Sequence, residues 1–165
     1  MNRTDSIRLL NQGVADELQA VHQYMYFHFH LDDQGFKPLA QLFKRIAIQE
    51  MGHLELLAER ILFLKGDVEM VSAGPVAKIL EAEAALQKAM EMELDGAKTY
   101  NEAALSCSAN SDSASKQIFE HLVNDEERHF DLYEKQHDNI RRFGPSYLAL
   151  QSFGIETTEE KAASE

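Results

Sequence analysis

The sequence predicts an all-α protein, a bundle of four long helices with a short fifth, and three observations carry that prediction. Only three prolines occur in 165 residues, Pro38, Pro75 and Pro145, and each lies close to a glycine (Gly35, Gly74, Gly144), so the chain is punctuated into long segments with few breakers. Within those segments apolar residues recur at alternating steps of three and four, the period of a helix that buries one face. Two connections are short and one is long, which pairs the first helix with the second and the third with the fourth across a crossover.

The first helix is expected from about Asp5 to Leu31 and the second from about Pro38 to Leu64, interrupted only by Gly13 and Gly52. Residues 66–78, GDVEMVSAGPVAK, have no clear period and read as the crossover. The third helix is expected from about Ile79 to Cys107 and the fourth from about Asp112 to Phe143, separated by the turn-forming run SANSDS. Pro145 sits well in a first helical turn and opens the short fifth helix, expected to reach Phe153. Residues 1–153 thus read as one domain. Residues 154–165, which include TTEEKAASE, lack apolar anchors and are expected to be a disordered acidic tail.

Composition narrows the function. With 44% apolar and 27% charged residues the chain has the balance of a soluble globular protein, and it holds no run of about 18 uncharged apolar residues to span a bilayer. The opening residues pass straight into a helical pattern without an apolar signal region, so a cytoplasmic location is expected. Twenty-eight acidic residues against 16 basic ones give a net charge of −12, which repels nucleic acid and attracts cations. Cys107 is the only cysteine, which excludes an internal disulfide and any cysteine-based zinc or rubredoxin centre within the chain. A bound metal must therefore be held by carboxylate and imidazole.

Such groups interrupt the apolar stripes. The first helix reads Ile7, Leu10, Val14, Glu17, Val21, Tyr24, His28, and the second Leu39, Phe43, Ile46, Glu50, His53, Leu57, Leu64. The third reads Ile79, Leu86, Met90, Glu93, Ala97, Tyr100, and the fourth Phe119, Leu122, Glu126, His129, Tyr133, Ile140. Four glutamates and two histidines occupy core positions, and both histidines belong to Glu-x-x-His pairs whose spacing places the two side chains on one helical face. Thirty-three residues separate Glu17 from Glu50 and again Glu93 from Glu126, so the two helix pairs are related by an approximate two-fold. Four unpaired carboxylates in a core would be expensive, whereas four negative charges match two divalent cations. Oxygen-rich ligation with one imidazole per metal suits iron or manganese better than zinc.

The segments ADELQAVHQY, IQEMGH, MELDGAK and NDEERH, with ERILFLKG after His53, resemble the bacterioferritins over about residues 2–153. The resemblance implies a ferritin-like up-down-down-up bundle and a cage of twenty-four subunits built from two-fold dimers. It implies a ferroxidase that oxidises Fe(II) with O2 or H2O2 at two iron ions per subunit and stores Fe(III) mineral inside. By the same analogy Glu17 and Glu93 are terminal ligands, Glu50 and Glu126 bridge, and His53 and His129 each cap one iron. Tyr24 matches a family tyrosine near the centre, either bonded to a ligand or able to supply an electron, and a packed core tyrosine is the plainer reading. Met51 projects about 100° away from the core stripe. In the family the matching methionine ligates a b-type haem, one per subunit pair, across a two-fold. Leu18, Val21, His22, Met25 and Ile48 offer apolar surface for it, the alternative being a haem-free dimer interface. His22, His28, His30, His121 and His137 read as surface histidines rather than ligands of the metal pair. Arg45 and Gln49 stand where some members carry an extra inner-surface iron site.

Other readings differ in class. One is a monomeric or dimeric di-iron enzyme that activates oxygen for an organic substrate, and another is a haem-carrying di-iron oxidase or peroxidase acting in detoxification rather than storage. A rubrerythrin-type peroxidase is disfavoured by the single cysteine. A DNA-protecting mini-ferritin is disfavoured because one chain supplies all six ligands and its charge offers no phosphate contacts. For storage, a ferredoxin-type protein is the expected reductant.

Overall fold

The computed structural model describes residues 3–153. Four long helices, α1 (Arg3–Asp33), α2 (Lys37–Phe63), α3 (Ala82–Ala109) and α4 (Ser113–Phe143), form an up-down-down-up bundle, and a short α5 (Pro145–Leu150) packs on α4. Among the described residues no helix is long and apolar enough to cross a membrane.

Each turn has a local cause. Gly35, with φ +86°, ends α1 as the left-handed residue that lets the Phe36 amide donate to the Leu31 carbonyl, and Pro38 then starts α2. At the other end Asp112 caps α4 by accepting from the Ser115 amide. Arg60 of α2 donates to both Asp112 (2.6 Å) and Ser115 (2.9 Å), which pins the α3–α4 turn to the first helix pair. The crossover, residues 64–81, must return the roughly 40 Å length of α2, which an extended chain of that size does easily. It is tied to α1 by Asn11, bonded to Asp67 O and Glu69 N, and by Gln23, bonded to both backbone groups of Ala77.

Two boundaries differ from expectation by three residues, the others by two or fewer. The third helix starts at Ala82 rather than Ile79, because the Gln23 clamp fixes Ala77 and Glu81 remains extended (φ −75°, ψ 132°). The fifth stops at Leu150 rather than Phe153, where the Ser152 hydroxyl takes the Ala149 carbonyl. The proposed tail, 154–165, lies outside the described residues.

The core is divided in two. One apolar cluster gathers Tyr24, Phe27, Leu31, Phe43, Leu86 and Tyr133, the other Leu10, Val14, Leu57, Ile61, Phe119 and Leu122. A layer of buried polar side chains lies between them.

Candidate metal centre

All six residues drawn from the stripes lie buried in that layer. Glu17, Glu50, Glu93 and Glu126 are between 1% and 6% exposed, and His53 and His129 are 4% and 0% exposed. Each long helix contributes one glutamate at mid-length, and α2 and α4 each add a histidine three residues further on. The ligating atoms fall into two groups, Glu17–Glu50–His53–Glu126 and Glu50–Glu93–Glu126–His129, with all atoms of a group within 4.8 Å of one another. Glu50 and Glu126 belong to both. Glu50 places Oε2 2.7 Å from Nδ1 of His53 and Oε1 3.0 Å from Nδ1 of His129, so its two oxygens face opposite halves. The imidazole rings stack with centroids 5.8 Å apart.

Several inward atoms, among them both Glu50 oxygens, Oε2 of Glu93, Oε1 of Glu126 and Nδ1 of each histidine, meet at ion-pair distance without proper hydrogen-bond geometry. Buried polar atoms of this kind call for a partner, and an oxygen-rich set with one imidazole per half fits a divalent cation such as Fe(II) or Mn(II).

Protonation reflects the crowding. Burial pushes the Glu17 carboxyl up to about 8, helped by the Glu50 charge. Burial and three neighbouring glutamates hold Glu126 well above the usual range, and burial also raises Glu93. Burial acts the same way on Glu50, but the close approach of His129 and His53 outweighs it and brings the carboxyl down to about 2. For the histidines burial works against the charged form, yet Glu17 and Glu50 raise His53 to about 11, and Glu50 and Glu93 raise His129 to about 9. Glu50 is thus an ionised carboxylate between two imidazolium rings.

Tyr24 donates to Oε1 of Glu93 at 2.6 Å, and Tyr100 donates to Oε1 of Glu17 at the same distance. Tyr24 is therefore bonded to a predicted ligand. Tyr100 was predicted only as core. A shift of 76 positions carries Glu17, Tyr24, Glu50 and His53 onto Glu93, Tyr100, Glu126 and His129, and that same shift would have found Tyr100. Sequence reasoning also missed what stands behind the imidazoles. Nε2 of His53 lies 3.0 Å from Asp125 and Nε2 of His129 lies 3.0 Å from Gln49. Tyr133 is fully buried with its hydroxyl unpartnered, edge-on to Tyr24.

Other expectations divide. Met51 is 56% exposed on the outer face of α2, with Ile48 and His22 also exposed and Leu18, Val21 and Met25 half-buried. An exposed thioether on such a surface is compatible with an axial haem ligand that needs a second copy. His28 is a correction: it is buried, with Nδ1 2.9 Å from the Ala40 carbonyl, because it faces the start of α2 rather than solvent. His121 is exposed but lies 3.6 Å from Asp125, and the His137 side chain is only 14% exposed beside Glu83. A hollow of about 230 Å³ reaches the centre between α1 and α3, lined by Asp16, Gln19, Asp95, Gly96 and Thr99 together with Glu17, Tyr24, Tyr100 and Glu126.

A four-helix bundle whose mid-layer carries two carboxylate–imidazole groups sharing two glutamates defines the ferritin-like class, and residues 7–143 match the ferritin-like domain family. The chain is 37% identical over 145 residues to the bacterioferritin of Rhodobacter capsulatus, covering 87% of this chain and 89% of that protein. It is 34% identical over 143 residues to that of Desulfovibrio desulfuricans, covering 87% and 80%. Among solved structures it is similar to the D. desulfuricans bacterioferritin, studied with its diiron site in different catalytic states (TM-score 0.91, 31% identity, 94% and 91% covered). It is also similar to the R. capsulatus bacterioferritin, with a metal-free dinuclear site and a haem iron in a crystallographic special position (TM-score 0.88, 31% identity, 94% and 98% covered). The chain belongs to the ferritin-like family and, within it, to the bacterioferritins.

Proposed function

We propose that the protein is a cytoplasmic iron-storage ferroxidase, assembled as a cage of twenty-four subunits from two-fold dimers, with Fe(III) mineral inside. The observation that carries the reading is the sharing of Glu50 and Glu126 between two four-residue groups. Two Fe(II) ions are the substrates. Glu17 with His53 holds one, Glu93 with His129 holds the other, and Glu50 and Glu126 bridge. The ions give up two electrons, which with two protons reduce O2 to H2O2 or H2O2 to two waters, and both ions leave as Fe(III). Tyr24 and Tyr100 orient the terminal carboxylates by their hydroxyl bonds, and the acidic hollow beside Asp16 and Asp95 admits the cation. Met51, with Leu18, His22 and Met25 beside it, would hold a b-type haem against a second copy. Such a haem supplies one-electron transfer, and a ferredoxin-type protein is its reductant.

Glu126→Ala tests the centre. Burial and its acidic neighbours disfavour a charge on Glu126, so removing its carboxyl takes away a group the core holds at a cost and should leave the fold intact. Glu50→Ala is less clean, since it strands two imidazolium rings. Stopped-flow absorbance should show rapid Fe(II) oxidation abolished in Glu126→Ala, and a wild-type rate places catalysis elsewhere. Sedimentation tests the cage, and a stable monomer or dimer at micromolar concentration sinks the storage reading.

A further inference from the structure

The two halves of the centre are related by the 76-residue shift, and the shift fails at one pair of positions. It carries Gln49 onto Asp125. Both side chains do the same job at the same distance, each accepting from Nε2 of the nearby imidazole at 3.0 Å, Asp125 behind His53 and Gln49 behind His129. In both rings Nδ1 faces the glutamates, so Nε2 carries the proton when Nδ1 takes a metal. The acceptors differ by a full charge. A carboxylate behind a ligating imidazole raises its basicity, while a neutral amide does so far less, and changes of this kind alter metal affinity about ten- to a hundredfold. Asp125 is also fixed in place, its Oδ1 3.0 Å from Arg128. The surroundings lean the same way. The hollow of about 360 Å³ beside Gln49 is lined by two cations, Arg45 and the Arg128 that pairs with Asp125, and by no carboxylate, whereas the hollow reaching Glu17 carries Asp16 and Asp95 against one cation, Lys88.

We propose that the halves are unequal: the His53 half binds the first divalent cation tightly, the His129 half binds the second more weakly, and Asp125 and Gln49 are the positioning residues that set this order. The inference rests on the dinuclear reading above and deepens it, since only one of the two substrate sites then exchanges readily.

Repulsion between two cations that share two carboxylates separates the binding steps even in a symmetric site, so two steps in the wild type do not decide the matter. Dependence on residues does. The metal-stripped assembly is titrated with Co(II), which O2 does not oxidise readily in such oxygen-rich sites, under calorimetry and visible d–d absorption. Gln49→Glu should tighten the second step ten- to a hundredfold and leave the first unmoved. The substitution keeps the length of the side chain that reaches Nε2 of His129 at 3.0 Å and adds the charge. Asp125→Asn should weaken the first step by the same factor and shift the d–d band recorded at one equivalent. His129→Ala should keep the tight step and His53→Ala should lose it. If Gln49→Glu moves the first step or neither, or if His53→Ala keeps the tight step, the proposal is overturned while two-metal binding stands. Uptake of fewer than two Co(II) per wild-type chain overturns both this inference and the ferroxidase reading. Should Asp125→Asn fail to assemble, Gln49→Glu, at an exposed position, still decides.

Discussion

Gly96→Ala separates the stability of the bundle from the geometry of its centre. Gly96 sits on α3 one turn after Glu93, and a Cβ there would lie 2.5 Å from Oε2 of Glu126 and 3.3 Å from its Cδ. Ordinary contact starts at 3.4 Å, so the carboxylate must retreat by about 0.9 Å. The obstructed atom is the end of a flexible side chain, so the fold yields cheaply, and replacing a mid-helix glycine by alanine gains about 1 kcal/mol of helix propensity. Net stability should therefore stay within about 1 kcal/mol of wild type. Catalysis should not, because a misplacement of about 1 Å in a reacting constellation can cost about a hundredfold in rate. Thermal melts followed by circular dichroism measure the first quantity and stopped-flow Fe(II) oxidation the second. Gly96→Ala oxidising iron at the wild-type rate would refute the reasoning, because Glu126 would then not stand against Gly96 during turnover.

Three further outcomes are expected. Tyr24→Phe and Tyr100→Phe each remove a 2.6 Å hydroxyl donor from a buried carboxylate and should destabilise the metal-free protein by about 1–3 kcal/mol in urea titrations; a loss of repeated turnover in Tyr24→Phe alone would give that residue an electron-transfer role. Met51→Leu keeps volume and apolarity and should abolish the Soret band while leaving assembly and Fe(II) oxidation nearly unchanged. In metal-free protein the raised histidines contribute stability that is complete below their ordinary value of 6.5 and is lost as pH climbs through about 9 for His129 and about 11 for His53. Raised Glu126 and Glu17 act in the same direction, so the melting temperature should fall from pH 6.5 to 9.5 without metal and much less with Co(II) bound.

Helix periodicity made the bundle and the six inward residues legible because both follow from a strict local rule: a residue three or four steps along lies on the same face. Glu17, Glu50, Glu93 and Glu126 stood out by breaking an apolar stripe. Tyr100 did not, since a tyrosine on a stripe looks like packing until its hydroxyl is seen against Glu17. Asp125 and Gln49 sit one residue before a stripe position, where polar side chains are ordinary, and only the packing of α2 against α4 brings them to the imidazoles. The late start of α3 was hidden for a similar reason, because the Gln23 clamp on Ala77 joins residues 54 positions apart.

The division of the core explains how such a polar layer is tolerated. Apolar packing is concentrated in two clusters on either side of the centre, each drawing on all four long helices, so the helices are held together without the centre contributing apolar contact. The layer itself then needs only charge balance. Without metal, the raised His53 and His129 offset the carboxylates that remain ionised, and burial with neighbouring glutamates pushes Glu126 toward its neutral form. With two divalent cations bound, neutral imidazoles and four carboxylates would balance four positive charges. Loading then exchanges protons for cations in a core near neutrality at both ends. The fold need not form or melt as metal binds, in contrast to small domains that a structural metal must fold.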